Sequence, residues 1–174
     1  ANQFEAARDV FSEVDDALGE NLSSLMFQGD IKELTLTKNA QPAIMAVSIA
    51  AFKVMSAMGL EIKSIDLFAG HSLGEYSALC ASGVISLRDT ALILKKRGLA
   101  MQRAVPEGLG SMVAVIGMTC EIVNDLISMS KCNNELIQVA NDNDPSQVVI
   151  SGQKQEVQKF IEFLKQKKPK RIID

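Results

Sequence analysis

Histidine, tryptophan, tyrosine and cysteine are scarce in this sequence. Its 174 residues contain no tryptophan, one tyrosine, three cysteines and one histidine, His71. A single histidine excludes a metal site built from several histidines, and any mechanism within these residues that needs a second one. Cys80, Cys120 and Cys132 are odd in number and lack a Cys-x-x-Cys spacing, so neither a disulfide framework nor a zinc knuckle is predicted. We expect no metal and a reducing, cytoplasmic setting.

An excess of charge of one sign is missing as well. Lys+Arg total 18 against 21 Asp+Glu, so the formal net charge of 18 − 21 = −3 argues against a nucleic-acid binder that works by bulk charge. The beginning of the sequence shows no signal-peptide pattern. The most apolar stretch, 42–62, is interrupted by Lys53 and is interpreted as a core helix, so no membrane span is expected. The hydrophobic fraction of 47% is ample for a buried core.

Helical periodicity organises the first part of the chain. Apolar side chains recur every three or four positions from Phe4 to Leu18, which predicts an amphipathic helix that ends at Gly19. Pro42 stands where the first residue of a helix would stand, so a long helix is predicted from there to about Met58. Because this helix is apolar on most sides, we expect it to be buried on most sides.

The period of the pattern then changes. The run 65–69 is short, mostly apolar and followed by a glycine, which predicts a buried strand of a parallel sheet. A helix that ends near Gly83 is predicted to follow it, and Ser86 and Asp89 form a capping box that opens another helix to about Arg103. The apolar face of the first of these helices comprises Leu73, Tyr76, Leu79 and Cys80.

A turn-rich segment at 106–110 is the predicted boundary between residues 1–109 and residues 110–174. The second part alternates strands and helices in the order β-α-β-β-α-β, which is the ferredoxin-like arrangement. The predicted strands are 112–116, 136–140, 147–151 and a last one from Arg171, and the predicted helices are 119–130 and 154–167. A turn is predicted at 141–145, where asparagine, aspartate and proline cluster.

The strongest motif is Gly70-His71-Ser72-Leu73-Gly74, which matches the Gly-x-Ser-x-Gly nucleophile elbow in a predicted strand–turn–helix context. Glycine at both ends would relieve side-chain clashes in so tight a turn, and the Ser72 hydroxyl would stand exposed at the tip. A helix N-terminus favours a developing oxyanion, with the N–H of Leu73 as one donor. The pattern also fits a glycine-rich turn without chemistry, although composition alone predicts only about 0.06 occurrences.

The segment 68–79, Phe-Ala-Gly-His-Ser-Leu-Gly-Glu-Tyr-Ser-Ala-Leu, resembles the active-site segment of malonyl-CoA:acyl carrier protein transacylases. Four further segments resemble the same family and follow in its order, so the resemblance covers essentially the whole chain. They are 37–43 at the start of the long helix, 96–102 on the family's arginine helix, 105–112 before the small lobe and 140–152 in a hairpin.

The resemblance implies a fold and a reaction. It implies that residues 1–109 are part of an α/β-hydrolase-like core and that residues 110–174 form an inserted ferredoxin-like lobe. Such enzymes run ping-pong acyl transfer in fatty acid biosynthesis: a serine, here Ser72, attacks malonyl-CoA, and the thiol of acyl carrier protein then takes the malonyl group. The resemblance implies no cofactor, and we expect a monomer.

The resemblance also assigns three supporting residues. Arg97 matches the arginine that binds the malonyl carboxylate, for which a planar guanidinium is well suited; without the resemblance it would be interpreted as a surface cation of a helix. Met101 matches a pocket-lining position and would otherwise be interpreted as core filler. His71 is expected to line the pocket rather than to serve as the base, because consecutive residues of a sharp turn point apart.

Two parts of the family pattern have no counterpart in the sequence. The family begins with a strand whose glutamine supplies an oxyanion donor, and it supplies its base histidine after the small lobe. We therefore expect the sequence to be a piece of a longer chain; a degenerate homologue that has lost its base is the other explanation. Residues 1–174 alone are expected to be nearly inactive, so malonyl-CoA should leave little adduct on Ser72 by mass spectrometry.

Three other functions stay open. A serine esterase of the α/β-hydrolase type shares the elbow, but Arg97 suits a malonyl carboxylate better than a neutral ester. An acyltransferase module of a fatty acid or polyketide synthase would carry the same motifs. A non-catalytic protein that binds carrier protein or CoA is the third. The basic run from Lys165 to Arg171 is interpreted as a solvated helix end, with an acidic partner such as CoA phosphates or carrier protein as a weaker alternative.

Overall fold

The computed structural model describes residues 3–106 and 108–173 and shows a mixed α/β chain with one small antiparallel sheet. The chain divides into two compact units, Ala1–Ala104 and Val105–Asp174. Each unit has a hydrophobic core of its own. Since a sheet needs strands and the first unit contains none among its described residues, the whole sheet belongs to the second unit.

Six α-helices are described in the first unit. They are α1 (Glu5–Leu18), α2 (Leu22–Gln28), α3 (Ile31–Thr35), α4 (Thr37–Ala57), α5 (Leu73–Ala81) and α6 (Leu87–Ala104), with a short 3-10 turn at Ile62–Ser64. The periodic apolar face of α1 buries Val10 and Val14 against α4 and α6. Gly19 ends α1 with φ of 63°, the left-handed conformation that glycine adopts without steric cost. The predicted first helix and its stop are therefore confirmed.

Helix α4 begins five residues before the predicted start at Pro42, which is its sixth residue. The N–H groups of Asn39 and Ala40 both donate to the carbonyl of Leu36 at 2.8 Å, so the first turn forms ahead of the proline. As the sixth residue, Pro42 lies beyond the first turn, so its missing N–H removes one hydrogen bond from the helix. Ile44 is 53% exposed, so the expectation that this helix is buried on most sides was wrong.

By length and composition, α4 is the one helix among the described residues that is apolar enough to cross a membrane. Its Met45, Ala46 and Ile49 nevertheless lie in the hydrophobic core against α1 and α6. A core helix passes the same test of length and composition. The structure therefore supports the interpretation of this stretch as a core helix.

The predicted strand at 65–69 does not form. These residues are extended without ladder hydrogen bonds, and the side chain of Leu67 is 79% exposed. A strand exists only when a neighbouring strand receives its backbone hydrogen bonds, and no described residue of the first unit provides one. An apolar run can supply the side chains of a strand, but it cannot supply the partner.

The second unit contains a four-stranded antiparallel sheet in the order β2-β3-β1-β4. Its elements are β1 (Gly110–Ile116), α7 (Cys120–Met129), β2 (Ile137–Asp144), β3 (Gln147–Gln153), α8 (Lys154–Lys165) and β4 (Arg171–Ile173). Alternate residues of the two central strands are fully buried, as a half-covered sheet requires. With Val157, Phe160 and Leu164 of α8 they form the second core.

The hairpin between β2 and β3 is tighter than predicted. Strand β2 continues through the predicted turn at 141–145 to Asp144, which pairs with Gln147 across a two-residue turn. Irregularities of register between Val139 and Asn141, and again after Asp142, absorb the extra residues. Asp144 accepts hydrogen bonds from the Ser146 N–H at 2.6 Å and hydroxyl at 2.8 Å, and these bonds lower the pKa of its carboxyl. The predicted turn was therefore placed too early.

Candidate active site

Ser72 occupies a strained turn immediately before α5. Its φ of 56° and ψ of −117° lie outside the regions that residues with a side chain normally adopt. The N–H of Gly74 donates to the carbonyl of His71 at 2.8 Å, which closes the turn. Although Ser72 stands in the N-cap position, its side chain makes no capping hydrogen bond with the helix. The hydroxyl is therefore exposed and not engaged by the backbone of its own helix.

The two glycines of the motif differ in what they permit. A Cβ atom on Gly70 would lie 2.0 Å from the carbonyl oxygen of Gly74, so any side chain there would force the turn apart. A Cβ atom on Gly74 would meet no described atom within 4 Å. The steric reason predicted for glycine at both ends therefore holds for Gly70 and is wrong for Gly74 within the described residues.

The N–H of Leu73 is the oxyanion donor that the sequence predicts. It opens α5, and it donates no hydrogen bond to a residue in the described ranges 3–106 and 108–173. Unpaired N–H groups in the first turn of a helix carry a partial positive charge. This group can accordingly donate to an oxygen that develops negative charge beside Ser72.

Arg97 reaches Ser72 from α6. Its Nη2 donates to the Ser72 hydroxyl oxygen at 3.3 Å, and its Nη1 donates to Oε1 of Gln41 at 2.5 Å. The guanidinium carbon lies 5.7 Å from the centre of the Tyr76 ring, within cation–π range. The structure therefore brings together the predicted nucleophile and the predicted carboxylate-binding residue.

Gln41 is a member of this cluster that the sequence prediction missed. Its side chain is buried, with 4% of the residue exposed, and its Nε2 donates to the sulfur of Met101 at 3.2 Å. The segment 37–43, which contains it, was interpreted as the family's entry to the long helix, and no role was given to Gln41 itself. The available signal was that Gln41 belongs to the segment 37–43, one of those that resemble the family.

Helices α4 and α6 touch along their backbones beside the cluster. A Cβ atom on Gly98 would lie 2.4 Å from the carbonyl oxygen of Thr37, so only glycine allows this approach. The hydroxyl of Thr37 donates to the Gly98 carbonyl at 3.4 Å, and the N–H of Lys38 donates to Gln102 Oε1 at 3.3 Å. These contacts fix the first turns of α4 against the segment of α6 that carries Arg97.

The remaining predicted residues differ in their surroundings. Met101 lies one helical turn after Arg97 and is 45% exposed, with its sulfur against Gln41. The side chain of His71 is exposed and forms no hydrogen bond with any residue of the described segments. Within those same segments, the side-chain partner of the Ser72 hydroxyl is the Arg97 guanidinium. A guanidinium only donates hydrogen bonds, so the described residues place no general base beside Ser72. Pocket-lining roles for His71 and Met101 remain predictions.

The described residues do not favour a cysteine nucleophile or a metal site. Cys80, on α5, is half-buried, and burial raises the pKa of its thiol, so the thiol is protonated near neutral pH and is a weak nucleophile. Across residues 3–106 and 108–173, no three His, Cys, Asp or Glu side chains lie close enough together to hold a metal ion. Ser72 is the exposed nucleophile that the cluster offers.

Comparisons with known proteins identify the family of the chain. The family described as "Acyl transferase domain" matches residues 2–173. A malonyl CoA-acyl carrier protein transacylase of Bacillus subtilis (strain 168) is 44% identical over 171 residues, which are 98% of this chain and 53% of that protein. The crystal structure of an acyl-carrier-protein-S-malonyltransferase from Bartonella henselae is 52% identical with a TM-score of 0.90, over 99% of this chain and 55% of the other.

A third relative is a malonyl-transacylase solved in complex with its type II PKS acyl-carrier protein. It is 37% identical with a TM-score of 0.89, over 99% of this chain and 55% of its own. The present chain spans about half the length of the relatives that it matches.

Proposed function

Because the chain belongs to the acyl transferase domain family, we propose that Ser72 is the nucleophile of an enzyme that transfers malonyl from malonyl-CoA to an acyl carrier protein. The observation that carries this proposal is the 3.3 Å distance between Arg97 Nη2 and the Ser72 hydroxyl oxygen. In a malonyl thioester, a single methylene separates the free carboxylate from the carbonyl that is attacked. A fixed cation in contact with the nucleophile suits a substrate with such closely spaced groups.

The reaction has two halves. In the first, the Ser72 oxygen attacks the thioester carbonyl and the N–H of Leu73 donates to the resulting oxyanion. The carbon–sulfur bond then breaks, and CoA leaves as a thiol with the proton that the Ser72 hydroxyl has lost. In the second, the phosphopantetheine thiol of the carrier protein attacks the malonyl ester and Ser72 is regenerated. Dividing the transfer into two steps of similar chemistry is the usual advantage of a covalent intermediate.

Arg97 selects the acyl group in this proposal. Two nitrogen atoms of one guanidinium can donate in parallel to both oxygens of a carboxylate. Within the described cluster, Gln41 occupies Nη1 with a neutral oxygen, and the contact between Nη2 and the Ser72 hydroxyl is long enough to be exchanged for a stronger one. His71 is not assigned the role of base, and His71 and Met101 are proposed to line the pocket.

The finer fold is part of the proposal. We infer that residues 110–174 form a ferredoxin-like lobe, supported by the order of their strands and helices and by the sheet order β2-β3-β1-β4. Residues 1–109 are inferred to be part of an α/β-hydrolase-like core. The elbow geometry of Ser72 and the division of the chain near Ala104 favour this assignment.

The relatives support a proposal for the partner of this enzyme. A relative at 37% identity was solved with a type II PKS acyl-carrier protein, so the carrier protein of this chain is proposed to belong to fatty acid or polyketide synthesis. No metal or cofactor takes part in the proposed chemistry. We propose that the enzyme works as a monomer in the cytoplasm.

The proposal is tested in the full natural protein that contains these residues. Incubation with malonyl-CoA should give one malonyl adduct, located on Ser72 by mass spectrometry, and added carrier protein should remove it. Ser72→Ala should abolish the adduct. Hydrolysis of neutral esters without transfer to carrier protein would favour the esterase, and carrier-protein binding without acylation would favour a non-catalytic binding protein.

A further inference from the structure

We propose that Gln41 and Tyr76 are positioning residues that fix the Arg97 guanidinium for carboxylate recognition, and that the neutral amide of Gln41 preserves its charge for the substrate. This inference rests on the proposed function of Ser72 and Arg97. It assigns roles to two residues that do not take part in the chemistry themselves.

The first argument is that the Gln41 amide can face the Arg97 guanidinium in only one orientation, with its oxygen toward Arg97. Its Oε1 lies 2.5 Å from Arg97 Nη1 and its Nε2 lies 3.2 Å from the Met101 sulfur. Exchanging the two ends of the amide would direct N–H groups at a guanidinium that can only donate. Arg97 and Met101 are four residues apart on α6, so one buried amide contacts two successive turns of that helix.

The second argument is that Tyr76 supplies a surface for the guanidinium. Tyr76 is the fourth residue of α5, the helix that begins directly after Ser72. Its ring centre lies 5.7 Å from the Arg97 guanidinium carbon. A ring face attracts a cation without forming a hydrogen bond, so the N–H groups of Arg97 stay available for a carboxylate.

The third argument is that α4 and α6, which carry Gln41 and Arg97, are in direct backbone contact beside these residues. The contact between Gly98 and the Thr37 carbonyl leaves no room for a Cβ atom, and Gln41 lies one turn beyond Thr37 on α4. Gln41, Tyr76 and Arg97 therefore come from three helices that meet at one point, and Arg97 touches both of the others. A long arginine side chain that is held on two sides loses less freedom when it binds its ligand.

The neutral charge of Gln41 is the specific part of the inference. A glutamate at this position would accept the same hydrogen bond from Arg97, and it would also neutralise the cation. It would then compete with the malonyl carboxylate for the guanidinium. The amide holds the side chain in place without this competition.

The experiment measures single-turnover acylation of Ser72 in the full natural protein with malonyl-CoA and with acetyl-CoA, which lacks the free carboxylate. Gln41→Met should raise the malonyl-CoA concentration that gives half-maximal acylation about tenfold and leave the acetyl-CoA reaction unchanged. Tyr76→Leu should act in the same direction by about fivefold, and Tyr76→Phe, which keeps the ring face, should restore wild-type behaviour. Gln41→Glu should give the largest loss with malonyl-CoA.

The outcomes separate this inference from the proposed function. If Arg97→Ala removes the preference for malonyl-CoA while Gln41→Met, Gln41→Glu and Tyr76→Leu leave it intact, the inference is overturned and the proposed function stands. Equal losses with both acyl-CoA substrates would show a general structural role and would also overturn it. If wild-type protein does not acylate Ser72, or if Arg97→Ala leaves the preference unchanged, the proposed function fails, and this inference fails with it.

Discussion

Arg97 Nη2 donates a hydrogen bond to the Ser72 hydroxyl at 3.3 Å, although 25 positions of sequence separate the two residues. One lies in the middle of α6 and the other in a strained turn before α5. Neither helix periodicity nor the elbow motif specifies this contact, since each concerns a single segment. Much of the functional interpretation of the molecule depends on it.

The first prediction concerns the selectivity that Arg97 provides. Arg97→Ala should lower kcat/KM for malonyl-CoA by about 100-fold, because two charge-assisted hydrogen bonds to the substrate carboxylate are lost. The rate with acetyl-CoA should change little. Arg97→Lys should recover only part of the loss, since an ammonium group cannot donate in parallel to both oxygens. Steady-state kinetics with both substrates checks this, and an unchanged malonyl preference would count against the assignment.

The second prediction uses the two glycines of the elbow as a matched pair. Gly70→Ala should destabilise the protein by about 3 kcal/mol or more, because its Cβ atom would overlap the Gly74 carbonyl. Gly74→Ala should change stability by no more than about 1 kcal/mol, since the new methyl group has room and alanine favours the helix. Urea unfolding followed by circular dichroism measures both variants. Equal losses would show that Gly74 is also sterically required.

The third prediction concerns the start of the helix that carries Arg97. The Ser86 hydroxyl oxygen accepts a hydrogen bond from the Asp89 N–H at 3.0 Å and its proton goes to the Asp89 carboxylate at 2.6 Å. Ser86→Ala should therefore cost about 1 kcal/mol of stability, the usual effect of losing a helix N-cap. Ser86→Thr keeps the hydroxyl and should retain most of it. Thermal melts of the two variants test this, and a larger loss for threonine would contradict it.

The fourth prediction concerns the pH dependence of stability in the second unit. The buried Glu156 carboxylate accepts hydrogen bonds from Lys159 at 2.6 Å and from the Asn133 N–H at 2.9 Å, and these bonds lower its pKa below the ordinary value of 4.5. A carboxyl with a lowered pKa stabilises the folded state above pH 4.5, and this stabilisation is lost as the pH falls through the folded pKa. Stability should therefore decrease in acid.

Glu156→Gln isolates this contribution. The variant should be less stable than wild type at pH 7, and the difference should shrink as the pH falls below 4.5. Glu162→Gln is the control, because Glu162 forms an exposed ion pair with Lys165 that contributes little. Chemical denaturation at several pH values checks both variants. A difference that is constant between pH 3 and pH 7 would sink the explanation.

Much of the fold was accessible from the sequence because the signals were local. The apolar spacing of α1 and its stop at Gly19, the capping serine Ser86 and the alternating strands of the second unit are patterns within one segment. The expectations that failed depended on something outside the segment. The run 65–69 has the side chains of a strand, but the described residues offer no neighbouring strand to pair with it. Pro42 lies in the early turns of its helix but is not the first residue.

Some residues of the candidate site were also predictable from the sequence and others were not. The sequence predicted Ser72 and the Leu73 N–H as site groups, because the elbow is a motif of five consecutive residues. The family resemblance, which the comparisons confirm, implied Arg97. The roles of all three residues stay predictions. Gln41 was missed, because a buried glutamine has no periodic signature. Tyr76 was interpreted only as part of an apolar helix face, since its relation to Arg97 depends on another helix.

The sequence by itself determined where most of the longer helices and most strands form and which serine stands in the turn. Those properties follow from side-chain size, backbone freedom and hydrophobic spacing over a few residues. Only the tertiary structure decided that Gln41, Ser72, Tyr76 and Arg97 share one small volume. That arrangement depends on how closely α4 and α6 approach. Because glycine has no side chain, Gly98 lets the backbone of α6 contact the Thr37 carbonyl of α4, which is far from it in the sequence.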